Sequence, residues 1–191
     1  MAAIGARFPM FAPFEGLEPD AALPKYGEKI LLGRLVKADV TVTNAKGEFY
    51  ADDVLAEQIE EFASAAIAME TDDMEPKVAN TIYGAAYDEE TKALTFKGDD
   101  VIPFGGLCYI KSLRRKGVAV FRGYYYPKVK AAIGNDSAAT RGNSITFGTT
   151  PIPFTVFQCN EGTWKEMAEF PDFAAAKTWC EGKLAKSPPE A

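Results

Sequence analysis

Beyond Gly33 the chain alternates: Val36, Ala38, Val40 and Val42 stand between Lys37, Asp39, Thr41 and Thr43, the period of two that marks a half-buried strand. Asn44-Ala-Lys-Gly47 supplies turn chemistry, and Phe49 to Ala51 can pair back across it. Residues 51–61 then read as a long acidic loop with Val54, Leu55 and Ile59 as its apolar members. Phe62 to Glu70 is alanine-rich, which favours helix by propensity. Ala63, Ala65, Ile67 and Met69 nevertheless fall on one face of a strand, and strand is the reading taken.

Further along, Asp72 and Asp73 resemble the cap and acidic first turn of a short helix running from Glu75 to Ile82 and ended by Gly84. Tyr87 to Phe96 reads as a hairpin across Asp88-Glu-Glu-Thr91. Gly105 to Leu113 and Val118 to Tyr126 form a second hairpin about Arg114-Arg-Lys-Gly117. Thr140 to Phe147, Ile152 to Gln158 and Trp164 to Phe170 continue the strand series. Pro171 to Leu184 is the clearest helix, since Phe173, Ala176, Lys177, Cys180 and Leu184 recur at helical spacing.

Residues 1–30 carry Pro9, Pro13, Pro19 and Pro24 among Phe8, Phe11, Phe14 and Tyr26. That spacing forbids a long helix and leaves extended backbone, read as an N-terminal arm and not a core element. The whole predicts one mainly-β domain over residues 1–191, a β-sandwich or barrel of about eight strands with a flanking α-helix at 171–184.

Composition narrows the function classes. The chain has 191 residues and no histidine, so the commonest general base and zinc ligand is missing. Cys108, Cys159 and Cys180 are too far apart for a metal clip and read as buried, inert thiols of a reducing compartment. The N-terminus lacks the basic region of a signal peptide, and no apolar stretch approaches the ~18 residues of a membrane span. A net charge of −6 argues against wrapping nucleic acid.

Charge is segregated along the chain. Between Glu48 and Glu75 stand ten acidic residues and no Lys or Arg, whereas between Val101 and Asn135 stand Lys111, Arg114, Arg115, Lys116, Arg122, Lys128 and Lys130 with no Asp or Glu. Either the blocks neutralise each other within the fold or lie on separate solvated faces, or a negative patch on one copy meets a positive patch on the next.

Catalytic signatures are missing: the sequence holds no phosphate-binding glycine loop, no nucleophile elbow and no metalloprotease motif. The doublets Asp52-Asp53, Asp72-Asp73 and Asp99-Asp100 could hold a cation or form a carboxylate pair, but such doublets more often cap turns. Tyr124-Tyr-Tyr126, with Arg122 and Lys128, offers either a stacking platform for a sugar or peptide, or a strand with core on one face and a subunit contact on the other.

Five stretches in order carry a resemblance: Gly33-Arg-Leu-Val-Lys-Ala-Asp-Val40, Tyr50-Ala-Asp-Asp-Val-Leu-Ala-Glu57, Pro103-Phe-Gly-Gly-Leu-Cys-Tyr109, Tyr125-Tyr-Pro-Lys-Val129 and Thr140-Arg-Gly-Asn-Ser-Ile-Thr-Phe147. Together they resemble the major tail tube proteins of long, non-contractile-tailed bacteriophages. The resemblance implies a structural virion protein without enzyme activity, cofactor or metal. It implies hexameric rings that stack head to tail into the conduit for DNA, assembled in the host bacterial cytoplasm and found in the virion tail. Its partners would be further copies of itself, the tape measure protein and the tail terminator and tip proteins, with DNA passing through unbound. By the same resemblance the segment 45–61 contacts the next ring, with Phe49, Tyr50, Asp52 and Asp53 as candidates. Arg114, Arg115 and Lys116 are our own choice for the complementary surface. The alternative is a monomeric carbohydrate- or peptide-binding β-sandwich using Tyr124 to Tyr126. An enzyme resting on the acidic doublets ranks third.

Overall fold

The structure is a computed structural model that describes residues 2–51, 54–136, 140 and 148–186. Its elements in chain order are β1 (Ala2–Pro13), β2 (Ile30–Leu31), β3 (Leu35–Ala51), β4 (Val54–Thr71), α1 (Pro76–Tyr83), β5 (Ala86–Tyr87), β6 (Leu94–Thr95), β7 (Phe104–Arg115), β8 (Val118–Ala131), β9 (Thr150–Val156), β10 (Glu166–Phe170) and α2 (Phe173–Lys183). The fold is mainly β and consistent with a sandwich, as the pattern predicted. An eight-stranded antiparallel sheet runs β2-β1-β7-β8-β9-β4-β3, with β10 added alongside β8, and β5 and β6 form a small separate hairpin. The predicted strand at Thr140 to Phe147 lies outside the described residues except for Thr140.

Alternation along β7 and β8 feeds two apolar layers on opposite sides of the sheet. Leu107, Tyr109, Tyr126 and Val129 join Phe11, Ile67, Met69, Ile152 and Phe154 in one layer, closed by Ile82 and Tyr83 of α1. Cys108, Ile110 and Tyr125 face the other way, where Ala176 and Cys180 of α2 and Leu184 cover them. Strands buried on both faces lose the polar half of the alternation, which is why β7 and β8 read as aromatic and branched runs.

Helix α2 docks closely. Asp172 caps it by accepting from the Ala175 amide at 2.8 Å, so Pro171 stands just outside the first turn. Gly123 of β8 leaves no room beneath α2: a Cβ there would meet the Trp179 ring at 2.7 Å.

Three expectations are corrected. Ala2–Pro13 is extended, but β1 is a core strand and not an arm: Phe11 and Ala12 are completely buried, and Tyr26 is buried beside Tyr125. Pro9 falls at the register shift between Arg7 and Met10 and Pro13 at the strand end, the two places where a missing amide hydrogen leaves the ladder intact. Asn44 to Gly47 does not turn; β3 runs straight through to Ala51. The supposed loop at 51–61 is largely the first half of β4, paired residue by residue with β3, so Phe49 lies opposite Glu57. Polar residues on both faces gave that half no period of two to detect.

The short helix was foreseen, including Gly84, which ends it in the left-handed region at φ 71°. Its cap was not. Glu75 occupies the cap position with no side-chain bond, while Asp72 accepts from the Arg34 and Asp73 amides and Asp73 from the Met74 amide.

Candidate interaction surface

Where β9 ends, β3 and β4 leave the body as a two-stranded ribbon. Residues 41–50 and 54–61 are all exposed, and ten residues at about 3.3 Å each give a projection of roughly 30 Å. A lone hairpin is marginal in water, so local bonds matter. Lys46 Nζ pairs with Glu60 Oε1 at 2.8 Å across the ribbon. Gln58 Nε2 donates to Glu60 at 3.1 Å, and Tyr50 Oη donates to Glu48 at 3.0 Å. The Lys46 ammonium holds the Glu60 carboxyl below its ordinary value.

The ribbon carries large apolar side chains with nothing to cover them. Phe49 is 62% exposed and Tyr50 60%, and Val54, Leu55 and Ile59 are comparably open. Large apolar side chains left open on both faces of one element make the ribbon a candidate contact surface. Beyond Lys46, the ribbon's remaining charges, Glu48, Glu57, Glu60 and Glu61, are acidic. Asp52 and Asp53 lie outside the described residues.

One contact anchors the base. Phe62 of β4 stacks on Trp164, which precedes β10, with centroids 4.2 Å apart and planes inclined by 9°. A register shift between Thr43 and Asn44 skips Ala63 and turns Phe62 toward the layer that holds Ile67, Met69 and Phe154, against which it packs. Sequence reasoning missed this pair, because the two rings are brought together by topology alone.

The basic residues fare differently from one another. Lys116 and Gly117 both take positive φ, 48° and 85°, the two-residue turn that suits strand twist. Arg115 Nη2 pairs with Glu169 Oε1 of β10 at 3.1 Å, and Arg122 engages the same carboxylate, which holds Glu169 below its ordinary value. Lys128 pairs with Glu18 at 2.6 Å. Lys111 stands over the Tyr109 and Tyr124 rings. Arg114 and Lys116 have no ion-pair partner among the described residues. Nor does any ion pair there join the acidic block of 48–75 to the basic block of 101–135, so internal neutralisation of one block by the other is not what the fold uses.

The remaining candidates are accounted for by packing. Tyr124, Tyr125 and Tyr126 are 8%, 1% and 0% exposed. Tyr124 and Tyr126 flank Tyr109 in a stacked set, and Tyr125 meets Tyr26 on the α2 side, so the run is core on both faces and offers no open platform. Cys108, Cys159 and Cys180 are buried and unpaired; burial raises Cys108 and pushes the Cys159 thiol up to about 12. Asp100 accepts from the Lys97 amide at 2.7 Å. The described doublets therefore bind backbone. No helix among the described residues is long and apolar enough to cross a membrane. No protein-family model and no curated protein matches the chain.

Proposed function

We propose that this chain is a self-assembling structural subunit, of the kind that builds the tail tube of long, non-contractile-tailed bacteriophages. The observation that carries the reading is the ribbon of β3 and β4: a projection exposed on both faces, apolar at Phe49, Tyr50, Val54, Leu55 and Ile59. An isolated monomer gains nothing from such an element, whereas a subunit that inserts it into a neighbour buries it.

On this reading the chain is not an enzyme. It forms rings that stack head to tail in the virion tail after synthesis in the bacterial cytoplasm. It meets the tape measure, terminator and tip proteins at the tube's inside and ends, and it lets DNA pass unbound. The ordered motifs from Gly33 to Phe147 support the family, and the mainly-β fold agrees with it. A carbohydrate- or peptide-binding module built on Tyr124 to Tyr126 loses its support, since those rings are buried.

Electron microscopy of the purified chain, concentrated stepwise, tests the reading. Rings or hollow tubes of uniform diameter with a regular axial repeat are expected. Discrete monomers at every concentration and salt would sink it.

A further inference from the structure

A pocket of about 510 Å³ opens at the foot of β4, the end away from the ribbon tip. Its walls come from α1, from the β5 and β6 hairpin and from the chain that leaves β8 and enters β9. They are apolar at Met74, Tyr83, Leu94, Phe96, Ile133 and Pro151. Tyr83 is buried, and its ring stands 6.1 Å from that of Phe96. Phe96 and Ile133 keep 49% and 62% of their surface open, so the pocket presents apolar wall to solvent. Pockets of roughly 300–1,000 Å³ take groups larger than a single ring.

The matching feature lies at the other end of the β3 and β4 pair. Thr71 closes β4 opposite Thr150, beside the pocket, and Val54 opens it. The 18 residues of β4, at about 3.3 Å each, separate tip from pocket by on the order of 50 Å, so a chain does not fill its own pocket. Phe49 and Tyr50 are the exposed aromatic side chains of the tip, and neither has a ring partner among the described residues. A contact between two different patches is heterologous: a pair joined once keeps one free tip and one free pocket, and growth continues.

Charge helps to set the pose. Lys77 and Lys97 follow the lining residues Pro76 and Phe96, are exposed, and have no ion-pair partner among the described residues. Glu57, opposite Phe49 in the ribbon, has none there either. Of the acids on the pocket wall, Asp72 is taken up by the Arg34 and Asp73 amides, whereas Asp136 opposes an acidic visitor. Charges of both signs around a contact choose register more than they add affinity, which leaves removal of apolar surface from water as the main attraction.

We infer that the aromatic tip of the ribbon, Phe49 with Tyr50, seats in the pocket between α1 and the β5 and β6 hairpin of a second copy. This contact deepens the self-assembly reading and rests on it, and it gives the tip a receiving surface other than the basic turn at Arg114 to Lys116.

Photo-cross-linking of the full chain in its assembled state tests the contact. Phe49→Cys is labelled with a benzophenone maleimide, the three native thiols being buried, and mixed with an equal amount of the same chain carrying nitrogen-15. Irradiation should attach the probe to peptides bearing Met74, Phe96 or Ile133, in products that combine the two isotopes. In a second arm, F96E/I133E should melt within a few degrees of the wild type, since both positions are exposed, yet need about tenfold or more protein to assemble. Should that variant lose its fold, the cross-link decides. Failure of the wild type to assemble removes the self-assembly reading and this contact together. Assembly with adducts on any other surface, or with F96E/I133E assembling as the wild type does, overturns this contact alone and returns the pocket to a small ligand or to another segment of the same chain.

Discussion

Phe62 and Trp164 stack face to face, 4.2 Å between centroids, at the point where the β3 and β4 ribbon leaves the sheet. Past this pair the strands have only each other. The stack thus sets the direction in which an exposed hairpin projects. Trp164→Ala should lower stability by about 1–3 kcal/mol, below the cost of a fully buried ring because Trp164 is half-buried. It should also speed amide exchange in residues 41–50 and 54–61. Urea unfolding with exchange mass spectrometry reads both. Unchanged exchange in the ribbon would mean that the stack does not anchor it.

The apolar tip is expected to serve assembly and not folding. Phe49→Ser with Tyr50→Ser should leave unfolding stability within about 0.5 kcal/mol of wild type, since both side chains are exposed. The same variant should abolish higher-order species in sedimentation. Tubes formed as readily as by the wild type would remove the ribbon tip from the contact.

Gly123 tests the docking of α2. An added methyl would have to displace the Trp179 ring from 2.7 Å, and overpacking of this kind costs typically about 1–3 kcal/mol. Gly123→Ala should therefore melt several degrees lower, with a shifted Trp179 emission. A wild-type melting temperature would show that α2 moves away freely.

Stability should fall on the alkaline side. Burial raises Tyr109 from 10.0 to about 12 and Cys159 from 9.0 to about 12, and Tyr26, Tyr125 and Tyr126 are raised further. Each raised group keeps its proton in the folded state after the unfolded chain has lost it. The folded state then binds more protons, so its advantage is complete below pH 9 and declines as pH rises toward 12. Melting temperature measured from pH 8 to 11 should drop progressively, and ultraviolet titration at pH 11 should show four tyrosines still protonated. Full ionisation at pH 11 without unfolding would contradict the buried tyrosine core.

Mainly-β architecture, the second hairpin about Arg114 to Gly117, α2 and the strand at Phe62 to Glu70 were legible in the sequence. The strand at Phe62 to Glu70 and α2 each place one face against apolar neighbours, and a one-sided environment imprints its period on the residues; β7 and β8, covered on both faces, show instead as aromatic and branched runs. Segregation of charge into two blocks was equally plain, since it needs only counting. The ribbon was not legible. Its first-half β4 residues face solvent on both sides, so no alternation records them, and Asn44 to Gly47 offered turn chemistry that cross-strand pairing overrode. Nor could the sequence say that β1 enters the core, that Trp164 finds Phe62, or that Glu169 holds Arg115 and Arg122. Those relationships join residues far apart in the chain, and only strand order and register, set by the burial of both faces of β7 and β8, bring them together.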